Sequence, residues 1–193
     1  MSLINYNLIL DFFIDNLIPK TELAVSKGNK IFGAFVINKK DYNLNVTGTN
    51  NEIVNPLFHG EVSAIFNFFK IGNLNPKDYI LISSHEPCSL CLSAITWSGF
   101  DEFYYLFPYE DTKVDFNIPH DLNILKEVFN INNGQYIRSN HYWTSHAIID
   151  EINHLIMSDK SKLHSKIDKI KDLYKEMSIN YQNNKISNNI PLK

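Results

Sequence analysis

Two short segments constrain this chain more than any other part of its sequence: His-Gly-Glu at residues 59–61 and Pro-Cys-Ser-Leu-Cys at residues 87–91. His59, Cys88 and Cys91 carry the nitrogen and sulfur donors that zinc prefers in tetrahedral sites. A catalytic zinc site uses three protein ligands and leaves the fourth position for water. The chain must therefore fold so that the two segments meet, and together they predict one Zn²⁺ ion per chain.

Glu61 lies two residues after the predicted histidine ligand. Two thiolates and a neutral imidazole balance the charge of the metal, which makes water at the site acidic near neutral pH. A carboxylate in the first turn of a helix, close to the ligand but pointing in another direction, is well placed to take that proton. The pattern therefore predicts Glu61 as the catalytic acid–base residue.

The two cysteines, which are the only ones in the chain, lie where a helix is expected to begin. Proline is common at the first residue of a helix, and Pro87 directly precedes Cys88. Both thiolates are then expected to project from the first turn. The positive end of the helix dipole lowers thiol pKa values there, which favours metal binding at neutral pH.

Other interpretations of these segments remain open when each is taken alone. A C-x-x-C pair also occurs in redox proteins and as half of a structural zinc site, and H-x-E is common by chance. A structural site would need a fourth ligand, for which His85 is the nearest candidate, although we expect it in a loop. Taken together and in this order, the segments match the pattern of zinc-dependent nucleobase deaminases.

The composition is that of a water-soluble enzyme. With 193 residues, 44% of them hydrophobic and 13% aromatic, the chain can bury a sizeable core as one domain, or one domain with an extension. No apolar run reaches the roughly 18 residues of a membrane span, and the N-terminus lacks the features of a signal peptide. Cysteines reserved for a metal suit a reducing compartment. We therefore expect a cytoplasmic protein without membrane contact.

Hydrophobic periodicity predicts alternating helices and strands. The N-terminal region is expected to form one helix kinked at Pro19 or two short helices. The segments that follow are predicted strands at 31–37, 44–48, 78–84 and 102–107, and predicted helices at 61–70 and 88–97. This order predicts helices on both faces of one sheet. Helical spacing returns between 155 and 177, whereas the Asn-rich stretch 180–193 has little to bury and is expected to be frayed.

The segment from about residue 30 to 112 resembles the cytidine deaminase-like superfamily, in particular the branch with cytosine deaminases, guanine deaminases and tRNA adenosine deaminases. Phe-Gly-Ala-Phe-Val at 32–36 is similar to the first strand of that branch, and Glu-Pro-Cys at 86–88 with Cys91 is similar to its second metal motif. The chain departs from the usual pattern at Gly60, Leu90 and Ser93, none of which is a metal ligand.

The resemblance implies a fold, a reaction and an assembly. The fold class is α/β: a three-layer αβα sandwich with a central mixed sheet of about five strands, plus a C-terminal helical extension. We divide the chain into a deaminase domain at 1–140 and an extension at 141–193 that packs on the core or on a second subunit. The implied reaction is hydrolytic replacement of an exocyclic amine on a ring by a carbonyl, with release of ammonia. A homodimer is expected from the resemblance alone.

Several residues are candidate substrate contacts. By resemblance, Asn50 or Asn51 matches an asparagine that contacts the base, and the backbone amide of Cys88 is a candidate donor to the developing oxygen. Glu110 and Asp111 follow the fourth strand and could accept ring N–H groups, or be simply solvated. Trp143, with its neighbour Tyr142, could stack on a flat base, although core packing explains aromatic residues more often.

Charge favours a small substrate over a nucleic acid. Residues 159–193 carry a formal charge of +4, so that the first 158 residues carry −7 within a total of −3. An acidic core is a poor platform for phosphate backbones, so guanine, cytosine, a nucleoside or an amino-triazine is preferred to tRNA adenosine. A catalytically inactive zinc-binding scaffold is the alternative of another class, and Glu61 argues against it because a structural zinc site needs no general base.

Overall fold

The computed structural model describes residues 4–156 and 160–193. Its centre is a sheet of five strands within the described residues, in the order β2-β1-β3-β4-β5. The strands are β1 (Gly33–Asn38), β2 (Leu44–Thr49), β3 (Tyr79–His85), β4 (Glu102–Phe107) and β5 (Thr144–Ala147). β1 runs antiparallel to β2 and β3, whereas β3, β4 and β5 are parallel. The predicted mixed sheet is confirmed.

Alternate residues of the central strands enter two separate hydrophobic layers. Phe35 and Ile37 of β1 face one layer, and Ala34 and Val36 face the other. Because both faces are covered, β1 and β3 are buried along almost their whole length, and the first five residues of β1 and the first four of β3 are apolar. This explains why both strands could be recognised as short apolar runs in the sequence.

The first helical layer joins the two ends of the chain. It contains α1 (Tyr6–Phe12), α2 (Ile18–Ser26), α7 (Ile148–His154) and α8 (Lys160–Asn184). A π-helical turn at Phe13–Leu17 connects α1 to α2, and the Ile18 amide donates to the Phe13 carbonyl. Pro19 has no N–H for the carbonyl four residues before it, so the helix widens there and continues to Ser26.

The second layer carries the two predicted site segments. It contains α3 (Gly60–Ile71) and α4 (Ser89–Ser98), which pack against each other. Two further helices, α5 (Tyr109–Val114) and α6 (His120–Phe129), follow β4. With helices on both faces of the sheet, the predicted three-layer αβα architecture is confirmed. Among the described residues, no helix combines the length and hydrophobicity that crossing a bilayer requires.

The C-terminal end is packed, so the prediction that residues 180–193 are frayed is wrong. α8 extends to Asn184 with Tyr181 buried, and Ile190 is only 2% exposed. The Asn188 side chain donates a hydrogen bond of 2.8 Å to the Gly28 carbonyl, which anchors the tail beside α2. A few apolar and amide groups thus stabilise a segment whose composition suggested disorder. Residues 157–159 of the predicted extension, and residues 1–3, lie outside the described residues.

Candidate metal centre and substrate cavity

The predicted metal ligands lie together at the N-terminal ends of α3 and α4. His59 is the N-cap of α3 and Cys88 is the N-cap of α4, both with extended backbone, while Cys91 lies in the first turn of α4. Nδ1 of His59 is 3.4 Å from the Cys88 sulfur and 3.7 Å from the Cys91 sulfur. All three donor atoms lie within 4.8 Å of one another.

These distances fit a tetrahedral zinc site. Donors at about 2.0 Å (nitrogen) and 2.3 Å (sulfur) from a tetrahedral ion lie about 3.5 Å apart. The donor set of one imidazole and two sulfurs also matches the ligand chemistry of catalytic zinc. Among the described residues this is the one group of histidine, cysteine or acidic side chains that could hold a metal ion, and it accommodates one Zn²⁺ per chain.

The three candidate ligands shift one another's pKa values. Burial alone would lower the pKa of His59, but the hydrogen bond to Cys88 and the charge of that thiolate raise it to about 9. Hydrogen bonding from Cys91 and His59 holds the pKa of Cys88 well below its usual range, whereas burial and the Cys88 charge raise the pKa of Cys91. Such a donor set suits a divalent cation.

Glu61 lies in the first turn of α3, beside the ligands. The Ser83 hydroxyl donates to its Oε1 at 2.9 Å, and the Cys91 sulfur lies 3.2 Å from its Oε2. Burial, and then the nearby Cys88 charge, raise the pKa of this carboxyl group. A buried carboxyl group with a raised pKa, beside the candidate metal ligands, is the kind of group that can act as a general acid or base.

Close backbone contact fixes α3 against the sheet. A Cβ added to Gly48 of β2 would lie 2.2 Å from the Ala64 amide nitrogen, and one added to Gly60 would lie 2.6 Å from the Gly33 Cα. The start of α3, just after its N-cap His59, therefore rests directly on the backbone of β1 and β2. This contact positions the ligand and Glu61 at the end of the sheet.

Two cavities that share lining residues lie at the candidate centre. The inner one, of about 10 Å³, is bounded by His59, Glu61, Cys88, Cys91 and Asp121, among others, and is about the size of one ion or water. The outer cavity has a volume of about 240 Å³ and shares His59, Cys88 and Asp121 with the inner one. A molecule in the outer cavity would therefore contact the metal ligands directly.

The outer cavity contains residues that sequence reasoning missed. Asp121, the second residue of α6, faces the site, and burial raises the pKa of its carboxyl group well above the ordinary value. Lys30 and Glu52 form a buried ion pair of 2.6 Å on the cavity wall. The tail residues Ile190, Pro191 and Leu192 close one side. These contacts could not be predicted from the sequence, because the residues that make them lie far from the metal ligands in the chain or outside any motif.

Several predicted substrate contacts do not line the cavity. Trp143 packs in the core, where its ring contacts Phe103 and its indole N–H donates to the Thr96 hydroxyl at 2.8 Å, so the core alternative holds. Its neighbour Tyr142 is exposed. Asn50 and Asn51 line a separate groove of about 460 Å³ between α2, β2 and α3.

The acidic pair after β4 also lies elsewhere. Tyr109 and Thr112 of α5 turn inward, so Glu110 is exposed and Asp111 faces Lys171 of α8 at 3.6 Å. Neither residue is among those that line the outer cavity. His85 is not in a loop as predicted but ends β3, buried among aromatic rings, and burial lowers its pKa to about 3.

The buried carboxylate of Glu86 helps to fix the segment that precedes Cys88. Glu86 Oε1 accepts a 2.6 Å hydrogen bond from Arg138, and its Oε2 accepts the Tyr109 amide at 3.0 Å. The Tyr109 hydroxyl in turn donates to the Pro87 carbonyl at 2.5 Å. The segment before Cys88 is thus held by both the start of α5 and the loop before β5.

We expect Arg138→Met to lower the free energy of unfolding by about 1–3 kcal/mol, because Glu86 would keep a buried charge without its cationic partner. Denaturant unfolding of the zinc-loaded protein measures this loss. The control is Lys126→Met, which breaks an exposed pair with Glu127 at 3.7 Å and should cost about 0–1 kcal/mol. Equal losses in the two variants would contradict the structural role of Arg138.

Comparison with known proteins agrees with this geometry. Residues 11–107 match the family model described as the cytidine and deoxycytidylate deaminase zinc-binding region. The chain is 30% identical over 91 residues to a tRNA-specific adenosine deaminase of Rickettsia bellii (strain RML369-C), covering 46% of this chain and 63% of that protein. It is 36% identical over 83 residues to a guanine deaminase of Bacillus subtilis (strain 168), covering 42% of this chain and 52% of that protein.

The chain therefore matches less than two thirds of the length of either curated relative. Among solved structures, guanine deaminase from Nitrosomonas europaea superimposes with a TM-score of 0.54 at 16% identity, covering 84% of this chain and 80% of that one. At this identity the likeness concerns the fold alone.

Proposed function

This chain belongs to the cytidine and deoxycytidylate deaminase zinc-binding family, and from that premise we propose that it is a hydrolytic deaminase of a small nucleobase-like ring. The observation that carries the proposal is the position of Glu61 and the three metal ligands at the inner end of a cavity of about 240 Å³. The candidate rings are guanine, cytosine, their nucleosides and amino-triazines.

The reaction replaces an exocyclic amine on the ring by a carbonyl. Zinc supplies Lewis acidity, which makes water a nucleophile near neutral pH. Glu61 accepts one proton from the attacking water and passes it to the ring nitrogen. It then takes the second proton from the hydroxyl group on the ring carbon and delivers it to the amine, so that the C–N bond breaks, the carbonyl forms, one water is consumed and one ammonia leaves. Ser83 holds the Glu61 carboxylate in position through its 2.9 Å hydrogen bond. The Cys88 amide, at the start of α4, is the candidate donor to the developing oxygen.

The cavity wall favours a flat, uncharged ring. Most of the wall is apolar, with Phe32, Leu90 and Ile124 among the lining residues. Lys30 is the only lysine or arginine among the described lining residues, and Glu52 neutralises it. No free cation is thus provided there for a phosphate. Burial raises the pKa of the Asp121 carboxyl group, and a carboxyl group can accept a hydrogen bond from a polar edge of the ring, or donate one when it is protonated.

A tRNA-specific adenosine deaminase is the second candidate, favoured by the resemblance to the rickettsial protein of that name. Two features of the chain oppose it. The tail residues Ile190–Leu192 narrow the cavity. Lysines of α8 form ion pairs with carboxylates of other segments, as Lys171 does with Asp115 at 2.7 Å.

The assembly rests on the resemblance and the location on the cysteine chemistry, and both stay predictions. Apolar side chains exposed on α3 and α4 support a homodimer: Phe66 is 54% exposed and Trp97 is 90% exposed. A cytoplasmic location is the expectation that follows from the cysteine chemistry.

The test of the proposal is ammonia release from a panel of guanine, cytosine, adenine, their nucleosides, cytidine monophosphate and amino-triazines, with Glu61→Ala as the blank. Turnover of one small compound supports the proposal and identifies the substrate. Silence across the panel by the zinc-loaded protein, together with inosine formation in tRNA, would replace it by the second candidate. Silence on both would favour the inactive scaffold.

We expect Asp121→Asn to lower kcat/KM for the active compound by about tenfold or more, because a group that contacts a polar ring edge discriminates strongly once its hydrogen bond is lost. Asp15→Asn, at an exposed position of the N-terminal helical segment, is the matched control. Identical kinetics of the two variants would remove Asp121 from the substrate site.

A further inference from the structure

Glu52 is a buried carboxylate that no motif of the chain predicts. Its side chain is 2% exposed and pairs with the equally buried Lys30, whose Nζ lies 2.6 Å from Oε1. The Lys30 backbone amide also donates to Oε2 at 3.3 Å. An ionised carboxylate is costly to bury unless it is paired and hydrogen-bonded, so the fold holds Glu52 in one place by several contacts.

Glu52 faces the ring nitrogen of His59 that the metal would leave free. Nδ1 of His59 points to the two cysteine sulfurs, and its Nε2 lies 4.0 Å from Glu52 Oε1. This is about 1 Å longer than a hydrogen bond, so a shift of the imidazole by that amount would complete one. Histidines that ligate metals through one nitrogen almost always donate the other N–H to a carboxylate, carbonyl or water.

Asn50 connects Glu52 to the start of α3. Its Nδ2 donates to Glu52 Oε2 at 2.9 Å, and its Oδ1 accepts the Gly60 amide at 2.6 Å. The Gly60 amide is one of the N–H groups at a helix start that have no partner within the helix. Asn50 therefore holds both the carboxylate and the first turn of the helix that carries His59 and Glu61.

We propose that Glu52, held by Lys30 and Asn50, is the positioning residue of the metal ligand His59: it accepts the Nε2–H, fixes the tautomer that presents Nδ1 to zinc, and sets the ring orientation. Lys30 balances the Glu52 charge and prevents the carboxylate from turning inward to bind the metal itself. Asn50 is part of this network. Its side-chain amide already forms hydrogen bonds with Glu52 and with the Gly60 amide, whereas the resemblance suggested that it contacts the base.

The test is the zinc affinity of Glu52→Gln, measured by competition with a chelating indicator and without any substrate. We expect the dissociation constant for zinc to rise about 10–100-fold. The visible spectrum of the cobalt-substituted protein should also change, because the imidazole orientation changes in the coordination sphere. Both readouts are independent of whether the protein deaminates any ring.

A double variant separates positioning from folding. Glu52→Gln alone leaves the buried Lys30 cation unpaired, so its unfolding midpoint should fall as well. Lys30→Met/Glu52→Gln removes both charges, and we expect it to recover most of the unfolding midpoint while its zinc affinity stays at least tenfold weaker. Glu22→Gln, exposed on α2, is the control with unchanged affinity. Zinc binding by the double variant at the level of the unmodified protein would overturn the proposal.

Discussion

Glu61→Ala is expected to lower kcat for ammonia release by about 10²–10⁴-fold, the usual contribution of a positioned general acid–base group, while zinc stays bound. His59, Cys88 and Cys91 are untouched by the substitution, so the metal site keeps its donors. The substitution removes the carboxyl group that Ser83 and Cys91 contact, which is the proposed proton carrier. Steady-state ammonia release and zinc content of the same preparation measure the two effects.

Two variants make this result interpretable. Glu61→Gln keeps the shape of the side chain and its contact with Ser83 but loses basicity, and it should be as inactive as the alanine variant. Glu22→Ala, at an exposed position of α2, should keep normal turnover. Full activity of zinc-loaded Glu61→Gln would remove Glu61 from the proton transfer.

Gly48→Ala is expected to lower the free energy of unfolding by about 3 kcal/mol, at the upper end of the usual cost of overpacking. The new Cβ would lie 2.2 Å from the Ala64 amide nitrogen and 2.6 Å from the Gly60 carbonyl oxygen, and both are backbone atoms that cannot turn away. α3 must then move off the sheet, and His59 moves with it. We therefore expect a weaker zinc affinity in addition to the loss of stability, measured by denaturant unfolding and by chelator competition.

Gly72→Ala, just beyond the other end of α3, separates the two effects. Gly72 has a φ of 78°, so alanine is strained there, but a Cβ at this position meets no atom within 4 Å. This variant should lose about 1 kcal/mol from backbone strain alone and bind zinc normally. A stable Gly48→Ala protein with unchanged zinc affinity would show that α3 does not depend on this contact.

The metal ligands and Glu61 could be predicted from the sequence because their signal is local. Spacing, the position of Pro87 and the apolar pattern behind each segment place His59 and Cys88 at the starts of two helices. The donor chemistry of the two segments then requires that the fold bring them together. The apolar strands β1 and β3 were predictable for a similar reason, since burial on both faces removes polar residues from a short stretch.

The wall of the cavity could not be predicted in this way. Trp143 has the same residue type whether it stacks on a ligand or fills the core, and only its contact with Phe103 decides between the two. Glu110 and Asp111 follow β4 as expected. Because Tyr109 and Thr112 of α5 point inward, Glu110 lies at the surface and Asp111 faces Lys171 instead of the cavity. A helical periodicity does not show which neighbour a face will meet.

The sequence by itself determined the zinc ligands and the alternation of helices and strands, and it indicated Glu61 as the candidate acid–base residue, because each signal is contained in a short segment of the chain. Only the tertiary structure decided what surrounds the metal: Asp121 of α6, the buried pair of Lys30 and Glu52, and the tail at Ile190. These groups meet through the packing of distant segments, and their polar side chains become specific only once burial removes water from around them.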